Sequence, residues 1–472
     1  MSADNRFERM KGRAATLLLA GVAIAALTGC AVHTAPPAPT VQPTPLSRWD
    51  ASIVSDQAYD PRWWRQFDDP VLESLENAAV DANRDVRSAL ARFDQARAVF
   101  DDDRRRRYPT VTAGAFVDVR DQAQPGFSDT PIRTTTYRAG LDASWELDLF
   151  GRVRAAIAAA SANAESFAAA LAGVRVSVAA DVGLNYFELR GLQQRLAVLD
   201  RSLKNQRETL RLTEVRRDAG IGEEQDVASA RARVAAIEAA LPPLRAALAA
   251  REHRLAVLIG RAPGQLTVDL APRAYPILAK SIALGPPDKL LDRRPDVRAA
   301  ERRLAAIAAR EGVAAADLYP RITLSGVLGL LAGRGNLFGS SDSRAWAVTP
   351  ALQWSAFDLG SARARLRGAR AATREGLADY DQTMLLALEE TENALVTYRE
   401  RQVRLVRLTD EVRESARAAA IARVRYREGV ADFLSLLDAE RTALQAEDTA
   451  AEAEADVFTA IVGLYRAVGG VQ

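Results

Sequence analysis

Four segments of the chain alternate apolar and polar side chains with period two. In the first, Val111, Ala113, Ala115, Val117 and Val119 alternate with Thr110, Thr112, Gly114, Phe116, Asp118 and Arg120. In the second, Tyr137, Ala139, Leu141, Ala143, Trp145 and Leu147 stand against Arg138, Gly140, Asp142, Ser144 and Glu146. Ile322, Leu324, Leu328 and Leu330 face Arg321, Thr323 and Ser325 in the third, and Trp346, Val348, Leu352 and Trp354 face Ala345, Ala347, Thr349 and Gln353 in the fourth. The pattern predicts strands over about 110–120, 137–147, 321–330 and 345–355, paired as two hairpins across polar loops at Asp121 to Thr136 and Ala332 to Arg344. Pro350 lacks a ladder donor and predicts a bulge or local irregularity in the fourth strand.

Elsewhere the period is three to four. Arg152 to Asp218 is helical in composition throughout and would extend about 100 Å. Its seam, Leu189, Leu192, Leu196, Leu199, Leu203 and Leu210 with Gln206 between, is that of a coiled coil. A second such helix, about 361–428, carries Tyr398, Leu405, Leu408 and Val412. Glycine turns at Gly220-Ile221-Gly222 and Gly429-Val430 end both helices, and return helices follow over about 224–259 and 432–466. Such seams also serve ordinary packing within one hairpin. Alanine-rich flanks at Ala155 to Ala160 and Ala168 to Ala170 let further helices approach, which suits a wall of many helices side by side. Asp69-Pro70 reads as the N-cap and first residue of an opening helix.

These elements occur twice. Asp85-Val86-Arg87 recurs as Asp296-Val297-Arg298 and Tyr108-Pro109 as Tyr319-Pro320, both 211 residues on (296 − 85, 319 − 108). Trp145 answers Trp354, and Gly220 answers Gly429, at 209 (354 − 145, 429 − 220). The period is far longer than a solenoid repeat. It divides the chain into halves of 61–287 and 288–468, the first ending in a linker with five prolines between Arg261 and Pro287.

The N-terminus adds an address. Residues 1–29 form a signal peptide: Arg6, Arg9, Lys11 and Arg13 precede an apolar run, Ala14 to Leu27, too short to span a bilayer comfortably. The run ends in Leu27-Thr28-Gly29-Cys30, which resembles a bacterial lipobox, and Cys30 is the only cysteine in 472 residues. Lipidation of Cys30 would anchor the chain. Residues 30–60 then form the tether, Pro- and Thr-rich at Ala35 to Pro45, and resemblance to lipoproteins reads Ala31 as an outer-membrane sorting signal.

A lipid anchor changes the reading of the strands. Alternation alone fits a half-buried strand of a soluble sheet, but these strands exceed the usual 5 to 6 residues and match the 9 to 11 or so that a tilted strand needs to cross a bilayer. Four strands cannot close a barrel, and an open edge in lipid leaves backbone groups unsatisfied. The barrel must be shared between copies. Two chains give eight strands and three give twelve, and only the larger leaves an aqueous pore.

Lys+Arg 63 against Asp+Glu 61 gives a net charge of +2 without a concentrated basic face, which argues against nucleic acid as a partner. Two histidines, His33 and His253, and one cysteine leave no set for a metal site or for Cys/His nucleophile chemistry. With no GxxxxGK[ST] loop and no catalytic constellation, no enzyme activity and no cofactor are expected.

Trp63-Trp64-Arg65-Gln66-Phe67 followed by Asp69-Pro70-Val71-Leu72, and Asp288-Lys289-Leu290-Leu291-Asp292-Arg293-Arg294-Pro295-Asp296-Val297-Arg298-Ala299-Ala300-Glu301, resemble the TolC-like outer-membrane factor family in its lipoprotein (OprM/NodT-like) branch. The resemblance covers about Trp63 to Val468. It implies a mainly α fold with a small membrane β part: long coiled-coil hairpins forming a periplasmic tunnel, and a twelve-stranded barrel shared by a homotrimer. It implies a passive duct for small molecules that docks to a periplasmic adaptor (membrane fusion) protein and an inner-membrane pump of the resistance-nodulation-division (RND) type. The family's periplasmic gate maps to Asp438 and Ser435, where the second acid is missing, with Asp432 as a substitute and Tyr426 as the tyrosine that holds the closed tip. Gly220, Ile221, Gly222, Gly429 and Val430 are the implied adaptor-contacting tips. A duct for type I protein secretion and a lipid-anchored coiled-coil scaffold without a pore are the rival readings.

Overall fold

A computed structural model describes residues 35–41, 46–57, 60–124, 128–276 and 281–469. The signal peptide and Cys30 lie outside the described residues. In chain order the elements are β1 (Val54–Ser55), a 3₁₀ turn (Trp63–Phe67), α1 (Pro70–Ala82), α2 (Arg84–Arg105), β2 (Thr110–Gln124), β3 (Ser128–Leu147), α3 (Arg152–Asp218) and α4 (Glu224–Leu258). Then follow β4 (Ile282–Ala283), α5 (Leu290–Arg293), α6 (Pro295–Ala316), β5 (Arg321–Ala332), β6 (Arg344–Gln353), α7 (Leu359–Arg427) and α8 (Phe433–Ala467). Elements of the two halves correspond. Helices α2 and α6 begin and end 211 residues apart (295 − 84, 316 − 105), and α4 and α8 do so at 209 (433 − 224, 467 − 258).

The chain forms two compact units, each drawing on both halves. The first contains residues 93–167 and 300–380 and carries the large sheet, with strand order β2-β3-β5-β6 and every pairing antiparallel. Cross-strand partners share a face. The rows Val111–Ala143–Gly326–Val348 and Ala113–Leu141–Leu328–Trp346 therefore make one apolar face across all four strands. The opposite face carries Thr112, Asp142, Asp118, Arg138, Thr136, Ser325 and Thr349. Nothing among the described residues covers the apolar face: Val111, Leu328, Trp346, Val348 and Leu352 remain 58–77% exposed.

Two sequence expectations need correction here. Asp121 to Thr136 is not a long loop, because β2 runs to Gln124 and β3 begins at Ser128, with Gln124 opposite Ser128. Thr134-Thr135-Thr136 and Ile132 are β-branched and extend the ladder without needing apolar alternation. At Pro350, pairing continues unshifted through Leu324↔Pro350, so no bulge forms. Strand β6 is an edge of this sheet, where a proline can stand without removing a ladder bond to its one partner. Below the sheet, Trp145 Nε1 donates to Arg107 O and Trp354 Nε1 to Leu318 O, each at 3.0 Å, so equivalent tryptophans make equivalent bonds.

The second unit comprises residues 41–92, 168–299 and 381–472. The Trp-Trp-Arg-Gln-Phe motif is an anchor here: Trp63, Trp64 and Phe67 are buried, Trp63 stacks on Tyr465 at 5.5 Å, and Phe67 meets Phe187 at 4.9 Å. Asp69 caps α1 by accepting from Val71 N and Leu72 N, and also accepts from the Tyr186 hydroxyl. Arg190 donates to the Tyr186 oxygen at 2.8 Å and to Ala271 O at 2.6 Å, tying α3 to the proline-rich linker. In the second motif, buried Arg294 donates to Ala467 O at 2.6 Å, Asp296 at 2.7 Å and Glu390 at 2.5 Å, closing the end of α8 onto α7. The distal part of the predicted tether is docked: Leu46 is buried, and the N–H groups of Ser47 and Arg48 bond the Glu392 carboxylate at 2.5 and 3.0 Å. Helix α4 continues through Pro242 and Pro243, both on its exposed side, where water can meet the carbonyls they leave free.

Candidate functional site: the hairpin tips

Both long helices end alike. Gly220 and Gly429 take φ of +78° and +74°, the left-handed region that an L side chain enters only at a cost. Ile221 N donates to Arg216 O and Gly220 N to Arg217 O; Val430 N donates to Arg425 O and Gly429 N to Tyr426 O, all within 2.9–3.1 Å. This is the Schellman pair of bonds, and it reverses the chain over a few residues. Gly222 packs so tightly on the helix end that a Cβ would lie 2.9 Å from Arg217 N. The turns leave Ile221 and Val430 pointing outward at 67% and 64% exposure.

Behind the second tip, Tyr426 is buried with Phe433, Leu436 and Ala230 and stands 5.7 Å from the Phe433 ring. The Arg216 guanidinium lies 4.8 Å over the Tyr426 ring and donates to Tyr426 O at 3.0 Å, joining the two hairpins. Asp432 is the N-cap of α8 and accepts from Ser435 N at 2.7 Å. The hydroxyl and N–H of Ser435 hold its carboxyl below the usual carboxylate value. Asp432 and Ser435 are thus engaged with each other in capping. Asp438, one turn on, is exposed and pairs with Arg441 at 2.7 Å. Partial burial, Glu223 and Asp432 together raise the Asp226 carboxyl, with Arg216 opposing, so acids of both hairpins gather at this end.

The structure brings Tyr426, Asp432, Ser435 and Asp438 onto one tip, and sets Gly220, Ile221 and Gly222 at the other turn. Four participants escaped the sequence reading. Arg441 is legible as the i,i+3 partner of Asp438, and Arg216 as a last-turn arginine. Leu434, 72% exposed in the first turn after the cap, and Asp226 gave no pattern of their own.

A family model described as "Outer membrane efflux protein" matches residues 75–261 and 287–470, both halves of the chain. The chain belongs to the outer membrane efflux protein family. This efflux protein is 30% identical to nodulation protein T of Rhizobium leguminosarum bv. trifolii over 421 residues, 88% of this chain and 89% of that protein. It is 32% identical to the pyoverdine export outer membrane protein OpmQ of Pseudomonas putida over 457 residues, 92% and 94% of the two chains. Among solved structures, the outer-membrane channel OprN matches with a TM-score of 0.89 and 47% identity, over 93% of this chain and 99% of that one. VceC of Vibrio cholerae matches with a TM-score of 0.81 and 26% identity, over 87% and 99%. The fold is that of these outer-membrane channels, and the efflux protein resides in the outer membrane as a transport component.

Proposed function

We propose that three copies of this efflux protein close a twelve-stranded outer-membrane barrel and continue it as a helical tunnel, forming a passive exit duct for small molecules. An RND-type inner-membrane pump would deliver these through a periplasmic adaptor. The carrying observation is the sheet of β2-β3-β5-β6, apolar on one face, polar on the other, and unpartnered along β2 and β6 among the described residues. In lipid such edges must pair, and pairing β2 with the β6 of the next copy satisfies both. Relatives named for solvent, toluene and antibiotic efflux support a small-molecule cargo. The matched element bounds support descent of the two halves from one duplicated unit, giving six near-equivalent units around the pore. Acylation of Cys30 would add a lipid anchor to the barrel.

The tips are the periplasmic gate and the adaptor contact in this reading. Ile221 and Val430 are apolar side chains presented to a partner, with the flanking glycines allowing close approach. Asp438 and Leu434 from three copies would ring the axis, a carboxylate ring attracting cations and an apolar ring opposing hydration. Purified protein in planar lipid bilayers tests this: long-lived conducting steps are expected, with Asp438→Ala altering conductance and divalent-cation block. Absence of any conductance from assembled protein would contradict the duct, and an unchanged Asp438→Ala channel would contradict the gate.

A further inference from the structure

Below the first strand hairpin, the end of α2, the base of β3 and the start of α3 enclose an open groove of about 680 Å³. Phe100, Val153, Ile157 and Ala158 give it an apolar wall, and Arg107 and Trp145 line it with them. Trp145 belongs to the apolar face of the sheet, two residues on from Ala143, and its indole N–H donates to Arg107 O at 3.0 Å. The groove therefore adjoins the apolar face where that face ends, and tryptophan at such a boundary marks the depth of a membrane–water interface. Two acids also line the groove, and both are already matched. Glu146 pairs with Arg152, while Asp148 accepts from Val153 N and Arg154 N at 2.9 Å and pairs with the Arg154 guanidinium at 3.1 Å. Of the neighbouring arginines, Arg104 and Arg106 pair with Asp101 and Asp103 at 3.9 and 3.0 Å. The Arg107 guanidinium makes no ion pair among the described residues, which leaves an uncompensated cation beside an apolar wall.

The second half repeats the frame without this lining. Trp354 Nε1 donates to Leu318 O where Trp145 Nε1 donates to Arg107 O, so the fold itself does not require an arginine there. Phe100 and Ser161 of the groove are answered by Glu311 and Arg370 (311 − 100 = 211, 370 − 161 = 209), which pair with each other at 3.4 Å. We propose that the groove of the first half binds an anionic phospholipid, its phosphate on the Arg107 guanidinium and the start of an acyl chain along Phe100, Val153 and Ile157. Guanidinium and phosphate match in charge and in fork geometry. A zwitterionic headgroup would bring an ammonium to a groove whose acids are already neutralised, so the charge balance favours the anionic lipid. The site rests on the reading of the large sheet as membrane-spanning.

The test is native mass spectrometry of delipidated full-length protein in detergent micelles doped with dioleoyl phosphatidylglycerol, dioleoyl phosphatidylcholine or inorganic phosphate. The parent protein should retain phosphatidylglycerol in preference to phosphatidylcholine, and inorganic phosphate should not displace it. Arg107→Ala should raise the phosphatidylglycerol concentration for half-occupancy about tenfold, through loss of a charge-assisted contact, and Arg107→Lys should recover part of it. Phe100→Glu combined with Ser161→Arg gives the groove the pair that the second half already accommodates, and should abolish retention with the oligomer and Tm intact. Arg105→Ala removes an exposed arginine outside the groove and should change nothing. Equal retention of the two lipids, displacement by inorganic phosphate, or equal loss in Arg105→Ala would overturn the proposal. So would an Arg107→Ala protein that retains lipid normally but loses its oligomer, which would assign Arg107 to a neighbouring copy. Parent protein that inserts into phosphatidylglycerol vesicles yet prefers neither lipid would refute the site alone, whereas failure to insert would contradict the membrane reading of the sheet and the site with it.

Discussion

Glu76 is the residue most at odds with its surroundings. It projects from α1 with Val71, Leu72, Leu75 and Ala79 into the core of the second unit, and neither carboxylate oxygen finds a partner among the described residues. Burial raises its carboxyl well above the usual value. A raised folded-state value means that the folded protein keeps the proton of this acid to higher pH than the unfolded chain does. Its contribution is intact below the ordinary carboxylate value and is lost as pH rises from there toward the folded-state value. Glu76→Gln is therefore expected to flatten the decline in apparent Tm from about pH 5 to pH 8. Glu76→Leu, which removes the orphaned acceptors, should stabilise the protein at pH 8 by about 1–3 kcal/mol. A lower Tm for Glu76→Leu at pH 8 would contradict this. No sequence pattern marks this position, since an acid at one helical site looks like any solvated charge until its face is known. The cap at Asp69 was legible because it depends only on local backbone geometry.

At the scale of elements, the close approach of β3 and β5 is the tightest constraint. A Cβ on Gly329 would lie 2.3 Å from Ala139 O and 2.6 Å from Gly140 Cα, both main-chain atoms that cannot rotate away. Gly329→Val is expected to abolish the β3–β5 ladder, read as loss of heat-stable oligomer in the outer-membrane fraction. Wild-type yield and migration would refute it. The glycine turns set a milder constraint: Gly429→Ala should destabilise the second tip by about 1–2 kcal/mol, measured as faster amide exchange at 424–433. Helices α3 and α4 could be read almost to the residue, because heptads, glycine stops and the offset between halves all point to the same bounds. The extra length of the first hairpin could not, because Thr- and Arg-bearing strands lack the alternation that marks the rest. Nor could the short parallel pair Val54–Ser55 with Ile282–Ala283, which joins segments far apart in sequence and carries too few residues for a pattern.

For the whole molecule, the single chain is incomplete in a specific way. Among the described residues its sheet has an uncovered apolar face and two long free edges, and in lipid such a sheet would need strands at both ends. The family and the outer-membrane location agree with lipid against that face, and the proposed assembly with further copies would supply the strands. The most direct test places a cysteine at Ala113 of β2 together with one at Trp346, Val348 or Leu352 of β6, and oxidises the protein in outer-membrane vesicles. Pairing of β2 with the β6 of the next copy predicts, for at least one combination, a disulfide-linked ladder of monomer, dimer and trimer with nothing above it. A ladder that stops at the dimer, or no cross-linking at any combination, would contradict the twelve-stranded barrel.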